Sequence, residues 1–427
     1  MLSRRRLMSL VPAGLVAPGL MLPRRLAALD GGTDRKFFFI YAYGGWDPLM
    51  AFVPKFDAQY IDMEDGTELA EANGITFVDH EDRPSVKTFF ENYGDRACLI
   101  NGMEVRSITH ERCQRILFTG GGDSTADDWG VVAASNTLNY YATPHLIFSG
   151  PAFTAKYAAN VVRAGEAGQL TELINGSAFD KSTLPIIPPS DWGDAMEDML
   201  VKDRVAAYSG KAGRGTPLNL GNYYRDALVN LDRLTAVGDQ VNLDPDTSGC
   251  RRDIAADAAC AFNAFEIGLA RCAITKDMGW CSMSWDTHAG NNLYQGRSFD
   301  ELFNYLNELM ADLDTRTGAS GNPLKDEVTI VVMSEMGRHP QITGDGRAHW
   351  TFTSAMLIGS GIKGGQVIGE LNDNYEGEAV DLESGALDDN GDKIVPAHLG
   401  ATLMELAGLD YTQYTSSGKP IKAALDT

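Results

Sequence analysis

Short apolar runs separated by helical patterns constrain the fold of this 427-residue chain more than any other feature. The clearest run, Lys36 to Tyr43, is rich in aromatic residues and ends at a Gly-Gly pair, which is typical of a strand buried on both faces. Similar runs lie at Ala97 to Val105, His145 to Ser149, Gly279 to Trp285, Glu327 to Met333 and Ala355 to Gly359. Helical periodicity between the runs is clearest in Asp257 to Thr275, Ser298 to Asp314 and Pro396 to Ala407. This alternation predicts an α/β fold with a mostly parallel central sheet and helices on both faces.

The stretch from about 150 to 245 departs from this alternation. It is richer in Pro, Gly, Ser and Asp, and its periodicity is less regular. We therefore expect a cap or an irregular insertion there, within a single domain that spans residues 31–427.

The first 30 residues have the features of an export signal. Three arginines, Arg4 to Arg6, precede the apolar stretch Leu10 to Leu22, which is shorter than the roughly 20 residues that span a bilayer. Paired arginines before a moderately hydrophobic segment resemble a twin-arginine signal, and an ordinary basic signal is the alternative. No later stretch is apolar enough for a membrane helix, so we expect an exported protein, periplasmic or extracellular, without a transmembrane segment in the mature chain.

The charge of the chain limits its partners. The net charge is −22, and because the first 28 residues carry five arginines and no acid, the remainder carries −27. Such a body repels nucleic acid, so no nucleic-acid partner is expected. An anionic substrate would need locally bound cations.

The six cysteines show no C-x-x-C zinc spacing. In an oxidising compartment one or two disulfides could form, and Cys250, Cys260 and Cys272 are candidates. Buried free thiols are the alternative.

The motif Asp286-Thr287-His288 is the sharpest candidate for chemistry, because it follows the apolar run Gly279 to Ser284. In extended backbone, residues two apart point to the same side, so Asp286 and His288 can converge on one ion. A carboxylate and an imidazole suit zinc, manganese or iron. The alternative is that Asp286 caps a turn while His288 packs or forms a hydrogen bond.

Three further residues stand where strands end or begin, and ligands of parallel sheets bind beyond the carboxyl ends of strands. Asp47 follows Gly44-Gly45, Glu335 follows the run ending at Met333, and His349 lies in a turn-rich segment before another strand. Glu335 would be costly to bury unless it paired or bound a cation. The alternatives are a turn cap for Asp47, an ion pair with Arg338 for Glu335, and a surface position for His349. Together these patterns predict a metal cluster that contains Asp47, Asp286, His288, Glu335 and His349.

Ser107, Thr109 and His110 follow the strand Ala97 to Val105 and precede a helical segment. A hydroxyl at a helix N-terminus near a metal could act as a nucleophile, so Ser107 and Thr109 are both candidates. A helix cap is the alternative. His110 could bind metal, act as an acid or base, or lie in a hydrogen-bonded turn. Asp128, in a helix-capping sequence, and Arg338 are candidates to contact the metal ligands without binding the metal themselves.

Several motifs, in order, resemble those of the exported domain-of-unknown-function family 1501, in the alkaline phosphatase and sulfatase superfamily. They are Gly-Gly-x-Asp through Asp47, Thr109-His110, Gly-Trp-x-x-x-x-Trp-Asp-Thr-His through His288, Ser-Glu-x-Gly-Arg through Arg338, Gly-Arg-x-His-Trp through Trp350, and Gly-x-Lys-Gly-Gly-x-Val-x-Gly through Gly369. The resemblance implies two neighbouring metal positions, one formed by Asp286, His288 and His349 and the other by Asp47 and Glu335. It also implies that a Ser or Thr nucleophile bridges them.

The chain departs from the superfamily pattern at three positions. Ala348 stands where an Asp commonly precedes the histidine, and Met336 stands where a His often follows the strand-end acid. The second metal position is therefore one ligand short. The sequence after Cys113 also lacks the Cys-x-Pro-x-Arg that forms a sulfatase's formylglycine, which disfavours a conventional sulfatase.

The favoured function is a metal-dependent hydrolase acting on a phosphate or sulfate ester of a small molecule or glycan. It would use one or two divalent ions (zinc, manganese, calcium or magnesium) and a Ser/Thr nucleophile. The alternative is a non-catalytic secreted binding or surface-assembly protein that retains the fold.

Overall fold

An eight-stranded sheet forms the centre of the protein in the computed structural model, which describes residues 34–122, 125–139, 141–164, 190–209, 228, 252–282 and 284–426. Its strands in chain order are β1 (Lys36–Ala42), β2 (Ala97–Glu104), β3 (His145–Ile147), β4 (Val161–Arg163), β5 (Cys272–Asp277), β6 (Val328–Ser334), β7 (Phe352–Gly359) and β8 (Gln366–Ile368). Across the sheet the order is β8-β2-β7-β6-β1-β5-β3-β4. Three two-stranded ribbons pair Glu68–Ala72 with Ile75–Asp79, Gly337–Arg338 with His349–Trp350, and Ala379–Val380 with Asp392–Lys393.

Helices cover both faces of this sheet. They are α1 (Pro84–Tyr93), α2 (His110–Thr119), α3 (Trp129–Ser135), α5 (Ile254–Glu266), α6 (Asn291–Leu313) and α7 (Pro396–Leu406), whereas a further helix, α4 (Asp191–Ser209), is largely exposed over its described residues. Successive side chains of a strand point to opposite faces, and β1 serves both cores in this way. Phe38 and Ile40 belong to the core with α1, α5 and α6, whereas Phe37, Phe39 and Tyr41 belong to the core with α2, α3 and α7. The predicted fold class is confirmed.

One strand of the eight, β7, runs against the others. It pairs antiparallel with both β2 and β6, while every other strand pair in the sheet is parallel. The amino end of β7 therefore lies at the same edge of the sheet as the carboxyl ends of its neighbours. That arrangement brings a residue that precedes a strand, His349, to the edge where residues that follow strands are gathered.

The predicted strand Gly279 to Trp285 is wrong, and so is the C-terminal end of the predicted helix Asp257 to Thr275. The helix ends at Glu266, and the strand is Cys272–Asp277. Gly268 adopts a φ of 66°, which favours glycine and lets the chain leave the helix there. A short apolar run beyond such a glycine fits a buried strand as well as a helix, so periodicity alone could not place the boundary.

The Trp285 side chain lies in the core instead of in a strand. Its ring packs edge-on against Phe299 at a centroid distance of 4.8 Å, and its indole nitrogen donates to Asp277 over 3.2 Å. The preceding residues form a short 3₁₀ turn, Trp280–Ser282. Asp286 therefore follows a loop anchored by a buried tryptophan.

Among the described residues, the cysteine that forms a disulfide is not one of those predicted to do so. Cys260 and Cys272 are buried thiols, as are Cys98 and Cys113. Cys281 is disulfide-bonded, and it was not among the candidates. Cys250 lies outside the described residues, as does the predicted export signal at 1–30.

The predicted insertion is described only in part. Its residues Val161–Arg163 form β4, which pairs with β3 at the edge of the main sheet, and Asp191–Ser209 form α4. The insertion itself stays a prediction. Among the described helices, none is long and apolar enough to cross a membrane.

Arg271 joins the amino edge of the sheet to two helix ends. Its buried guanidinium donates to the carbonyls of Arg35, Ala133, Asn136 and Ala407, over 2.6–3.1 Å. Ala133 and Asn136 belong to the end of α3, and Ala407 caps α7. A cation at these positions also complements the helix dipoles.

We expect Arg271→Met to lower the free energy of unfolding by about 3 kcal/mol, because several buried carbonyls lose their donor. Urea denaturation followed by circular dichroism measures the change. The control is Arg96→Met, which removes a partly exposed ion pair with Asp314 and should cost less than about 1 kcal/mol. Equal losses in the two variants would contradict this role for Arg271.

Candidate functional site

Three ligand-type side chains converge at the carboxyl edge of the sheet. One ligand atom each from His110, Asp286 and His349 lies within 4.8 Å of the other two. Asp286 Oδ1 is 3.0 Å from His349 Nε2, and Asp286 Oδ2 is 3.3 Å from His110 Nε2. We call these three residues the edge cluster. Their spacing and chemistry are those of a group that could hold a metal ion.

His110 begins α2 and is oriented by a buried carboxylate. Its Nδ1 lies 2.8 Å from Oε1 of Glu335. An ionised carboxylate only accepts hydrogen bonds, so Nδ1 carries the proton that it donates. The opposite nitrogen, Nε2, is buried without a hydrogen-bond partner and faces Asp286. This carboxylate–histidine arrangement leaves a lone pair on Nε2 in the neutral ring, as metal-binding histidines require.

His349 is oriented in the same way by a backbone carbonyl. Its Nδ1 lies 2.8 Å from the oxygen of Ile108, which fixes the proton on Nδ1 and leaves Nε2 as the acceptor. That Nε2 faces Asp286 and also lies 3.0 Å from Nε2 of His288. His288, whose side chain is 55% exposed, thus stands at the solvent side of the edge cluster.

Asp286 is the centre of the cluster. Its Oδ1 accepts from Nη2 of the fully buried Arg338 at 2.5 Å, and it lies 3.1 Å from His288 Nε2. Burial opposes ionisation of Asp286, but its close contacts with His110, His349 and Arg338 hold the pKa of this carboxyl well below the usual range. The carboxylate is therefore ionised under all ordinary conditions.

Arg338 links Asp286 to the turn after β1. It donates to the carbonyl oxygens of Gly44, Gly45 and Arg347, as well as to Asp286. The predicted ion pair between Arg338 and Glu335 is not formed, because Arg338 pairs with Asp286 instead. Arg338 contacts the edge cluster through Asp286 and is not itself a member of the cluster.

Asp47, a predicted metal ligand, is engaged elsewhere. Its Oδ2 forms a buried ion pair with Nε of Arg347 at 2.9 Å and accepts from Asn291 at 2.9 Å. Its Oδ1 accepts from the backbone nitrogen of Leu49, so Asp47 also caps the short 3₁₀ helix Pro48–Met50. Among the described residues, Asp47 does not join a group that could hold a metal ion. The physical reason is that the Arg347 guanidinium pairs with the Asp47 carboxylate and neutralises its charge.

The Asp47–Arg347 pair fixes the segment that carries His349. Arg347 also donates to the carbonyl oxygens of Asp62, His339 and Pro340, which ties the hairpin before β7 to the rest of the domain. Next to it, a Cβ on Gly346 would lie 1.9 Å from the carbonyl oxygen of His288. The two loops that carry His288 and His349 are therefore held in close contact.

Glu335 contacts His110 and the turn after β1. It is fully buried, and its Oε1 accepts from the backbone nitrogen of Gly44 at 2.9 Å as well as from His110. Within the described part of the chain, neither Asp47 nor Glu335 belongs to a group of three or more side chains that could hold a metal ion. The second predicted ligand set stays a prediction.

The two candidate nucleophiles flank Ile108 in the sequence. Thr109 is the N-cap residue of α2, it is exposed, and its side chain makes no capping hydrogen bond. Ser107 Oγ accepts from the Thr109 nitrogen at 3.3 Å. Between them stands Ile108, whose carbonyl oxygen holds His349. Both hydroxyls therefore lie on the loop that touches the edge cluster.

Asp128 serves as a helix cap. Its two carboxylate oxygens accept from the backbone nitrogens of Val131 and Phe153 at 2.7 and 2.9 Å, at the start of α3. These contacts agree with the interpretation of Asp128 as a helix cap. Among the described residues, no contact between Asp128 and the edge cluster accompanies them.

Tyr43 and Lys276 border the cluster, and sequence reasoning passed over both. The Tyr43 ring lies 5.8 Å from the His110 ring, and Lys276 Nζ lies 5.1 Å from the Tyr43 centroid. Lys276 is the penultimate residue of β5. Because β5 was mistaken for the end of a helix, a lysine at a strand end was not recognised.

Comparison with known proteins places the chain in a family. The family model "Protein of unknown function (DUF1501)" matches residues 34–425, so the chain belongs to the DUF1501 family. No curated protein matches the sequence.

Three solved structures are similar in outline. A protein in the alkaline phosphatase superfamily from Vibrio parahaemolyticus has 9% identity and a TM-score of 0.33, covering 88% of this chain and 67% of its own. A 2-O GAG sulfatase has 10% identity and a TM-score of 0.33, with coverage of 90% and 73%. A phosphonate monoester hydrolase from Silicibacter pomeroyi has 11% identity and a TM-score of 0.36, with coverage of 92% and 77%. Similarity at this level carries no information on individual residues or substrates.

The electrostatics of His110 give a testable pH dependence. In the metal-free protein, the neighbouring carboxylates of Asp286 and Glu335 raise the pKa of His110 to about 9. Since this pKa is raised above the ordinary 6.5, the resulting stabilisation is fully present below pH 6.5 and is lost as the pH rises through about 9.

We expect Glu335→Gln to lower the pKa of His110, because it removes one of the two carboxylates. Histidine NMR titration of the metal-free protein measures the pKa, and Glu68→Gln, at an exposed ribbon position, is the matched control. A pKa of His110 near 6.5 in the wild type, or one that Glu335→Gln leaves unchanged, would refute this assignment.

Proposed function

We propose that this DUF1501 protein is an exported hydrolase that binds a divalent metal ion through the edge cluster and cleaves a phosphate or sulfate ester. The observation that carries the proposal is Nε2 of His110, which is buried, has no hydrogen-bond partner and lies 3.3 Å from Oδ2 of Asp286. It faces the same carboxylate as Nε2 of His349. A buried polar atom without a partner is costly in a folded protein unless a ligand completes it.

The donor set fits a transition-metal ion. The proton positions of His110 and His349 are fixed by Glu335 and Ile108, so both rings offer Nε2 in the neutral form. The distances of 3.0 and 3.3 Å from Asp286 approach the roughly 3.3 Å between ligands of a tetrahedral zinc site with bonds of about 2.0–2.1 Å. Two imidazoles and one carboxylate favour zinc or manganese over calcium or magnesium. His288 is the candidate for a fourth ligand.

We further propose one ion per chain, not two. The second position implied by the family resemblance would need Asp47 and Glu335. Asp47 is neutralised by Arg347, and Glu335 is occupied by His110 and the Gly44 nitrogen. The absence of a His at Met336 agrees with this reduction.

The chemistry follows from the cluster and its flanking loop. The metal, when bound, would neutralise charge on the non-bridging oxygens of the ester. The hydroxyl of Thr109 or Ser107 forms the new bond to phosphorus or sulfur while the bond to the ester oxygen breaks. The hydroxyl proton goes to the departing alcohol. Water then hydrolyses the enzyme-bound ester, which releases phosphate or sulfate and restores the hydroxyl.

The remaining groups position these parts. Arg338 fixes the Asp286 carboxylate, and Glu335 fixes the ring of His110. The Asp47–Arg347 pair holds the hairpin that carries His349. A folded, metal-loaded protein is the kind of cargo that the twin-arginine route exports, so the predicted signal at 1–30 fits the same proposal.

Metal analysis of the purified protein tests the site. We expect one zinc or manganese ion per chain, and its loss in His110→Gln, Asp286→Asn and His349→Gln. Glu335→Gln should weaken metal binding by about 10- to 100-fold, because it frees the ring of His110. His80→Gln, a histidine with contacts elsewhere, is the control. A wild-type protein without bound metal after incubation with zinc and manganese would refute the metal site.

Turnover of aryl phosphate and aryl sulfate esters tests the hydrolase. We expect activity that a chelator abolishes and that Thr109→Ala or Ser107→Ala removes while the metal content stays unchanged. Thr88→Ala, at an exposed position of α1, is the control. Full metal occupancy without turnover of either ester would contradict the hydrolase and support the non-catalytic binding or surface-assembly protein.

A further inference from the structure

We infer that Lys276 recognises an anionic oxygen of the substrate beside the edge cluster. This inference rests on the proposed function and adds to it: the substrate carries a negatively charged group, such as a phosphate monoester, that spans the metal position and the Lys276 ammonium. Lys276 touches substrate in this account, and it is not a metal ligand.

The position of Lys276 in the sheet directs it to the site. In the register of β5 with β1, Lys276 pairs with Tyr41, so both side chains leave the sheet on the same face. The carboxyl end of β5 follows one residue later. A Cβ on Gly150 would lie 3.3 Å from Cβ of Lys276, so the backbone at Gly150 packs closely along the base of this side chain.

The Tyr43 ring connects the ammonium to the edge cluster. Lys276 Nζ lies 5.1 Å from the centroid of that ring, and the same ring lies 5.8 Å from the ring of His110. The Glu335 carboxylate, which orients His110, also has an electrostatic interaction with the Lys276 ammonium. One aromatic side chain therefore contacts both the proposed anion-binding cation and a member of the cluster.

Lys276 is half-buried but has no ion-pair partner among the described residues. The buried Lys36, by contrast, is paired with the carboxylates of Asp34 and Glu327. The cation–π contact with Tyr43 compensates the ammonium only in part, because such contacts are worth about 0.5–2 kcal/mol. A partly desolvated cation without a counter-ion favours an anion that arrives from solvent.

Two other cations, Arg338 and Arg106, already have carboxylate partners. Arg338 is fully buried and pairs with Asp286, and Arg106 pairs with Glu104. The chain beyond its basic start carries a net charge of −27. An anionic substrate would be repelled from this protein unless the metal and Lys276 offset that field.

Phosphate binding by zinc-loaded protein tests the inference. Inorganic phosphate is titrated into the desalted, zinc-loaded protein and followed by isothermal titration calorimetry. We expect Lys276→Met to weaken phosphate binding by about 10- to 100-fold, as the loss of one charge-assisted contact should. Lys276→Arg keeps the charge and should retain most of the affinity. Zinc content should be the same in all variants.

The matched control is Lys87→Met, which removes the same charge from an exposed lysine of α1 paired with Asp79. Lys276→Gln replaces Lys276→Met if the latter does not give the wild-type circular dichroism spectrum. Equal phosphate affinity in Lys276→Met and Lys87→Met would overturn the inference, and so would zinc-loaded wild type that binds no phosphate.

The metal site and the lysine can fail separately. If the wild type binds neither zinc nor manganese, the proposed function fails, and the phosphate titration is then made on the metal-free protein. A Lys276-dependent affinity there would still support the anion subsite, whereas no binding, or binding independent of Lys276, would overturn it.

Discussion

The Asp286 carboxylate is the group on which the arrangement of the edge cluster depends. Four groups approach it, namely Arg338, His110, His288 and His349. A partly buried carboxylate must be compensated, so the segments that carry these groups are drawn to one place. Arg338 extends the same constraint to the turn after β1 through the carbonyl oxygens of Gly44 and Gly45. The arrangement of the site thus follows from the need to compensate the negative charge of Asp286.

The sheet topology makes this convergence possible. Parallel strands deliver Glu335 and the segment that begins with Ser107 to the carboxyl edge, and the single antiparallel strand β7 delivers His349 from its amino end. The buried Asp47–Arg347 pair then fixes the hairpin before β7. Buried partners already orient His110 and His349, so these side chains would lose little freedom on binding the proposed ion, which favours a preformed site.

Much of this fold could be read from the sequence, because strands buried on both faces appear as continuous apolar runs. This holds for β1, β2, β6 and β7. It fails at β5, where an apolar run directly after a helix has no periodicity to separate the two, and the same error hid Lys276. The position of Glu335 follows from a strand end, whereas Asp286 follows a loop and His349 precedes the antiparallel strand β7. The partner of Asp47 lies 300 residues away along the chain, and no local pattern could reveal that Arg347 neutralises it.

The central claim is that one metal ion is bound by the edge cluster. Anomalous diffraction at the zinc absorption edge, from crystals of zinc-loaded protein, tests it most directly. The account predicts one strong peak within about 2.0–2.2 Å of His110 Nε2, an oxygen of Asp286 and His349 Nε2. A peak held by Asp47 or Glu335 with His110 Nε2 out of reach, or no ordered peak in zinc-loaded crystals, would contradict it.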